Sequence, residues 1–304
     1  MAHVVIDEDA YENYNYYGNP KVIKKEDYSR LDEFTYARLG LTPERVKLEL
    51  LGMEDELIDR PRVEQYPDSF YEQMINMAAA RSEKEFDIVI RPRVNDEPLD
   101  FNTAEANSYM YLRTYERPII QVDDLRIMFN NRSAYVYPDE WLKVTHRYGQ
   151  LEIQPNFMFG TDSNFVFQSL NMFETSVSSG LLDSYNYNSN FAPQMIGCRY
   201  IAGMLPQPEG NVGINRDIFI QPDLIAYIAK IAAIEVLERW GRMAIGAGIA
   251  GYGISVDGIN TNIQSTQSAE NTASTADIKL MQTDMKDLRN ALTSYYGLNI
   301  GVLA

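Results

Sequence analysis

Arg117-Pro-Ile-Ile-Gln-Val-Asp-Asp-Leu-Arg-Ile-Met-Phe129, followed by Tyr137-Pro-Asp-Glu-Trp-Leu-Lys-Val-Thr-His-Arg-Tyr-Gly-Gln-Leu-Glu-Ile-Gln-Pro155, is the stretch that decides the fold. Leu125, Ile127 and Phe129 alternate with Asp124, Arg126 and Met128, the period of two that marks a half-buried strand. Asn130-Asn131 offers turn residues, and Ala134–Tyr137 answers as the returning strand. Trp141–Thr145 and Leu151–Ile153 bracket Arg147-Tyr148-Gly149 as a second hairpin. The centre of the chain therefore reads as a small antiparallel sheet.

Upstream of it, Phe86, Ile88 and Ile90 alternate with Asp87, Val89 and Arg91, predicting a strand over Phe86–Arg91 capped by Pro92. Before that, Phe70, Met74, Met77 and Ala78 recur at three- and four-residue spacing and predict a helix over Pro67–Ser82. Thr42-Pro43-Glu44 has the grammar of a helix start, with Thr42 as the cap and Pro43 in the first turn. That helix runs through Val46, Leu50 and Leu51 and stops near Gly52, and Lys24–Leu39 reads as an earlier helix ended near Gly40. The first 60 residues hold 14 acids and 8 bases, and Tyr11, Tyr14, Tyr16 and Tyr17 precede Gly18 and Pro20. Such a start is expected to be an arm without a core of its own, whose tyrosines are candidate contacts to a neighbour.

Downstream, residues 156–221 are dense in Phe, Tyr, Asn, Ser, Gly and Pro, with Tyr185–Asn190 expected to be an exposed loop. This segment is either a contact surface or a set of long loops covering the sheet. Gln221-Pro222-Asp223 then opens a helix whose apolar face carries Ile225, Ile228, Ala232, Val236, Trp240 and Met243. A Gly-rich junction follows, and a closing helix is expected from about Ser268 to Tyr296. In it Ile278, Met281, Met285, Leu288, Leu292 and Tyr295 recur at spacings of 3, 4, 3, 4 and 3, the narrow seam of a coiled-coil-like helix. Either an internal helix or a neighbouring subunit satisfies that seam. The pattern is α+β: N-terminal helices, a small central antiparallel β-sheet and a C-terminal helical layer. In chain order it gives an acidic arm with helices over 1–60, an α+β core over 61–155, a loop-rich aromatic segment over 156–221 and a helical region over 222–304.

Composition restricts the function. The 304 residues include 27 Lys plus Arg against 43 Asp plus Glu, a formal net charge of −16, which rules out a basic sheath for nucleic acid. One cysteine, Cys198, excludes a disulfide framework, and two histidines, His3 and His146, form no recognisable ligand pattern. No signal peptide is expected at the start, and the chain reads as soluble and cytosolic. The longest uncharged part of the apolar C-terminal stretch, Met243–Val256, is 14 residues, short of the roughly 20 that a bilayer requires.

Motifs that carry chemistry fail on context. Gly246-Ala-Gly248-Ile-Ala-Gly251 has the letters of a dinucleotide fingerprint, but a helical pattern precedes it and no crossover unit follows. Asp257-Gly258 lacks the acidic ligands of a calcium loop and reads as a turn. Asp123-Asp124 and Asp139-Glu140 are carboxylate pairs that solvated turns explain. Arg91, Arg93, Arg113, Arg117 and Arg126, interleaved with acids and aromatics, suit ion pairing at an interface. No catalytic residue, metal ligand or cofactor site is expected.

Two blocks resemble structural proteins in the virions of tailed bacteriophages, above all the neck or head-to-tail connector (adaptor). One is Arg117–Phe129 leading into Tyr137–Pro155. The other is Gly246-Ala-Gly-Ile-Ala-Gly-Tyr-Gly-Ile-Ser-Val-Asp-Gly258, the Ser/Thr/Asn-rich stretch to Thr275 and the closing helix to Tyr296. The resemblance implies a non-enzymatic protein of the virion, assembled in the host cytoplasm as a homo-oligomeric, twelvefold ring. Its implied partners are portal and tail or neck proteins, with DNA passing through an acidic lumen and no membrane. A tail or baseplate position, and an enzyme using carboxylates of the β-rich centre, are the rival expectations.

Overall fold

The structure is a computed structural model that describes residues 18–50, 66–102, 112–129, 132–153, 191–207, 216–245, 251–256, 259–264 and 275–297. The fold is α+β. Its elements in chain order are helices α1 (Pro43–Glu49) and α2 (Asp68–Phe86), strands β1 (Arg93–Asn102), β2 (Leu112–Arg113), β3 (Ile119–Phe129), β4 (Arg132–Val136), β5 (Leu142–Thr145), β6 (Gln150–Ile153) and β7 (Phe191–Ala202), helix α3 (Pro222–Ile245), strands β8 (Gly251–Val256) and β9 (Ile259–Gln264), and helix α4 (Thr275–Tyr296).

The chain forms two compact units, each discontinuous in sequence: one takes the chain up to Phe34 with Val89–Phe219, the other Thr35–Ile88 with everything from Ile220. The four consecutive segments expected from the sequence are thus regrouped. Two pairings cause this: β1 finds its partner in β7, about a hundred residues on, and α2 packs with α3, well over a hundred residues on.

In the first unit a four-stranded antiparallel sheet has the order β1-β7-β3-β4, and a smaller one the order β2-β6-β5. The expected pairing of 125–129 with a returning strand is present as β3–β4, and the second hairpin as β5–β6. Gly149 closes that hairpin at φ 66°, where an added Cβ would meet Thr114 Oγ1 at 2.5 Å. Val122, Leu125, Cys198 and Tyr200 of the large sheet pack in one core with Leu142, Val144 and Leu151 of the small one. On the opposite face, Ile120 and Ile201 pack with Val22, Ile23, Leu31, Ile218 and Phe219. Burial on both faces leaves Tyr200, Ile201 and Ala202 with no exposure at all, so the central strands do not alternate.

Three expectations need correction. The strand expected over Phe86–Arg91 is absent: α2 continues to Phe86, Asp87 ends it in the left-handed region at φ 53°, and Ile88, Val89 and Ile90 are all buried. The helix expected over Lys24–Leu39 is instead two 3₁₀ stretches, Lys25–Glu33 and Tyr36–Leu39, ended by Gly40 at φ 83°. Its apolar residues serve different units, Leu31 the sheet and Leu39 the helices, so one continuous face has no single partner. The loop-rich reading of 156–221 fails at its end, where β7 is the strand flanked by β1 and β3.

In the second unit α3 carries the core. Leu224, Tyr227, Ile228, Ala229, Ile231, Ala232, Ala233, Val236 and Leu237 are buried nearly all round it, which makes it the central helix. The helices α1, α2 and α4 surround it. Ion pairs and hydrogen bonds fix their directions. Arg81 meets Glu235 at 2.9 Å and Glu85 accepts from the Tyr227 hydroxyl at 2.8 Å, so α2 runs antiparallel to α3. Lys230 lies 3.8 Å from Asp284, and Gln221 donates to Tyr295 at 3.4 Å, so α4 is antiparallel to α3 as well. The Thr42 side chain accepts from the Arg45 N–H, as its cap grammar requires. Between α3 and α4 lies the two-stranded ribbon β8–β9, where the sequence suggested only a junction.

Candidate functional site

Of the candidate interface residues, Tyr11, Tyr14, Tyr16 and Tyr17 lie outside the described residues, as do Leu51, Gly52, Asn130-Asn131, Tyr185–Asn190, Gly246, Gly248 and Asp257-Gly258. The seam of α4 is described. Ile278, Met281 and Leu292 are buried within this chain, together with Tyr296, which the spacing had missed. Met285, Leu288 and Tyr295 are only half-covered. Within the chain the seam therefore has an internal partner in α3, with Phe86 of α2 beside Tyr296 at 6.4 Å between ring centroids.

The root of the Tyr-rich start is fixed where the described chain begins. Asn19 makes a reciprocal pair with the Val122 backbone, donating at 2.8 Å and accepting at 2.7 Å. Gln121 does the same for Ile23, its Oε1 accepting from the Ile23 N–H at 2.8 Å and its Nε2 donating to the Ile23 carbonyl at 2.9 Å. Lys21 donates to the carbonyls of Val122 and Asp123 and pairs with Asp139. Polar side chains thus replace a strand ladder along Asn19–Ile23.

His146 completes this strap. It is buried, with Nδ1 2.8 Å from the Ile119 carbonyl and Nε2 3.1 Å from the Gly18 carbonyl. A neutral imidazole has one N–H for these two acceptors. Burial holds its pKa below the usual 6.5, and the two carbonyls and the Asp217 charge offset that only in part. The native ring is therefore neutral at pH 7, while the unfolded chain takes up its proton near 6.5. This contribution to stability is complete above about pH 6.5 and declines as pH falls through the window down to the lowered native value. Denaturation midpoints measured from about pH 7 to about pH 5 should fall in the parent and fall less in His146→Gln; parallel curves would show that His146 does not set the slope.

The carboxylates of the β-rich centre are held by the fold. Asp123 is not in a solvated turn: it is the bulged residue of β3, where the register with β7 shifts between Val122 and Asp124, and its side chain is 1% exposed. Its Oδ1 accepts from the Tyr28 hydroxyl, and its Oδ2 lies 3.7 Å from Arg199 Nε. Burial first, then the Asp123 carboxylate, push the Tyr28 hydroxyl pKa well up, so Tyr28 stays a donor. Asp124 pairs with Arg126 at 2.7 Å, and Arg126 reaches across Gly197 of β7 to Asp96 of β1. Asp139 and Glu140 are exposed in a 3₁₀ turn, as expected. Asp123→Ala should cost about 2 kcal/mol, since it leaves the buried end of the Tyr28 hydroxyl without its acceptor and removes the carboxylate 3.7 Å from the half-exposed Arg199, whereas Asp139→Ala should cost under about 1 kcal/mol. Equal denaturation midpoints for the two variants would contradict this placement.

Sequence reading missed one cluster. Glu97 of β1 accepts from the Tyr200 hydroxyl at 2.8 Å and from the Tyr115 N–H at 3.0 Å. Its pKa is raised, chiefly by burial and further by Glu116. Glu116 takes Arg93 through both carboxylate oxygens and accepts from Asn95 as well, and its own N–H donates to Tyr200. The signal was weak because β1 itself was missed, so Arg93, Asn95 and Glu97 could not be placed on one strand. Arg93 and Arg126 are thus paired within the chain. Cys198 is a buried thiol whose pKa burial pushes well up. Among the described residues no group of three or more His, Cys, Asp or Glu is placed to hold a metal ion, and no helix is long and apolar enough to cross a membrane.

No protein-family model matches the chain, and no curated protein matches it.

Proposed function

We propose that this chain is a non-enzymatic structural protein of a tailed-phage virion, assembling as a ring in the neck between portal and tail. The observation that carries the reading is the resemblance of two blocks of sequence. The first folds as β3–β6 and the second as the β8–β9 ribbon with α4. Two further observations support it. The paired acids of β3 in the first block are engaged with the framework, Asp123 with Tyr28 and Asp124 with Arg126. The net charge of −16 suits a wall past which DNA slides without sticking, because phosphates are repelled from an acidic lumen. The protein assembles on this reading in the host cytoplasm, with itself and with portal and neck or tail proteins.

Sedimentation and native mass measurement of the purified chain, alone and with portal rings, test the proposal. The expected result is a species of many copies, or capture of the chain by the portal. A chain that stays monomeric in both conditions overturns it. The rival carboxylate reading would rest on the β-rich centre, where Glu97 lies beside Glu116 and burial raises its pKa. A turnover that disappears in Glu97→Gln while folding is retained would establish an enzyme in place of the ring.

A further inference from the structure

The start of the described chain is tied to the sheet by a histidine to which the proposed function gives no role. His146 stands in a short 3₁₀ turn, His146–Tyr148, directly after β5. Its buried ring bridges two separate parts of the chain, the Ile119 carbonyl at the start of β3 and the Gly18 carbonyl. The other described ties of this stretch to β3 come from the amides of Asn19 and Gln121, which do not titrate, and from Lys21. Imidazole is the side chain that ordinarily changes charge between about pH 5 and pH 8. The geometry makes its contact with Gly18 conditional on that charge. A neutral ring has one N–H for two carbonyls, and the shorter contact, to Ile119, has first claim on it. A protonated ring has an N–H for each, but it is then a cation out of reach of water.

What faces the ring decides whether that charge can stay. The 3₁₀ turn Arg216–Ile218, packed against the His146 turn, brings the Asp217 carboxylate, which favours the protonated ring. From β3, Asp123 is turned to Tyr28 and Arg199, and Asp124 pairs with Arg126. From the N-terminal stretch, Lys21 reaches Asp139. On the ring's own turn, Arg147 lies over the Tyr148 ring at 4.6 Å. One carboxylate and two carbonyls do not make up for the lost water, so burial wins and disfavours the charge. We propose that His146 is a proton-operated latch: the neutral ring holds Gly18–Pro20 against β3, and a proton on it lets that stretch go while Val22 and Ile23 stay. The charged ring finds relief by turning toward water, and the contact it surrenders is the longer one, to Gly18. Val22 and Ile23 do not follow, because they pack with Ile120 and Ile201 on the sheet. Acidity thereby sets how firmly the residues ahead of Gly18 are tethered to the sheet unit, whether or not the chain forms a ring.

Amide hydrogen exchange of the full chain, resolved to single residues by mass spectrometry and corrected for the intrinsic effect of pH, tests the latch. The Val122 N–H reports on Gly18–Pro20 because the Asn19 side chain accepts from it, and the Ile23 N–H reports on the anchored part because Gln121 accepts from it. The Tyr137 N–H, which donates to the Leu125 carbonyl, reports on the sheet unit as a whole. With the released ring titrating near its ordinary value, the open form gains up to about tenfold between about pH 7 and pH 5.5. Val122 should accelerate several-fold over that range while Ile23 and Tyr137 do not. In His146→Gln, whose amide donates but takes up no proton, all three rates should stay level. A Val122 rate that is level in the parent, or that climbs equally in His146→Gln, overturns the latch. Acceleration of all three amides together overturns it as well, because His146 would then act on the whole unit. The parent series alone carries the first and last of these outcomes, so a His146→Gln chain that fails to fold does not remove the test. None of these outcomes depends on portal or on self-association, so the ring reading stands or falls separately.

Discussion

Gly203→Ala should destabilise the sheet unit by roughly 4 kcal/mol or more, a loss large enough to leave much of the protein unfolded at 37 °C. Gly203 follows β7 and stands at φ 130°, a backbone region open in practice to glycine alone. Three segments cross there. The Gly203 N–H donates to the Pro118 carbonyl at 2.9 Å, and the Met204 N–H donates to the Ile90 carbonyl at 3.0 Å. A Cβ on Gly203 would sit 2.7 Å from both the N and Cα of Pro92 and 2.8 Å from the carbonyl carbon of Arg91. These are backbone atoms, so no rotamer change relieves the clash. Gly40→Ala is the control, because φ is 83° there but the new Cβ meets only Ile225 Cδ1, at an ordinary 3.5 Å. It should cost about 1 kcal/mol, the steric penalty of the left-handed region by itself. Chemical denaturation of both variants separates the two effects. Equal, small losses would mean that the crossing at Pro92 yields easily.

The residues that made the fold legible are those whose environment is local. Thr42-Pro43 announced a helix because capping involves only its own first turn, and Gly149 announced a hairpin because a left-handed residue closes it. β7 was hidden for the opposite reason. Gly197 weakens its strand signal, yet glycine stands there because Arg126 of β3 lies over it, and a Cβ would come within 2.8 Å of the guanidinium nitrogen Nε. No pattern within 191–202 contains Arg126. β1 was hidden by Pro98 and by its acids, which suit an edge strand. The Phe86–Arg91 alternation misled because Ile88, Val89 and Ile90 are buried together rather than alternately. Asp123 looked like a solvated acid because nothing in its own sequence neighbourhood brings Tyr28 and Arg199 to it. The seam of α4 was legible in period but not in depth, and that difference has consequences for mutation.

Leu292→Asp should cost about 4 kcal/mol in the helical unit, the largest effect expected of any single change on α4. Leu292 is 2% exposed. Its turn of the helix also carries Tyr295, which accepts from Gln221, and Tyr296, which is buried beside Phe86. An aspartate there must either ionise without a partner in an apolar layer or stay protonated at the cost of a strongly raised pKa. Leu288→Asp, at a half-covered position, can turn its carboxylate toward water and should cost only about 1–2 kcal/mol. Gln282→Asp, on the exposed side, should change stability by less than about 0.5 kcal/mol. The graded series therefore reads burial depth along one helix, and melting of the three variants by far-ultraviolet circular dichroism measures it. Assembly adds a second axis. If neighbouring copies cover Met285 and Leu288, then Leu288→Asp lowers association more than stability, whereas Leu292→Asp lowers stability first. A Leu292→Asp protein that melts with the parent would place Leu292 at the surface and remove the antiparallel packing of α3 and α4 on which the helical unit depends.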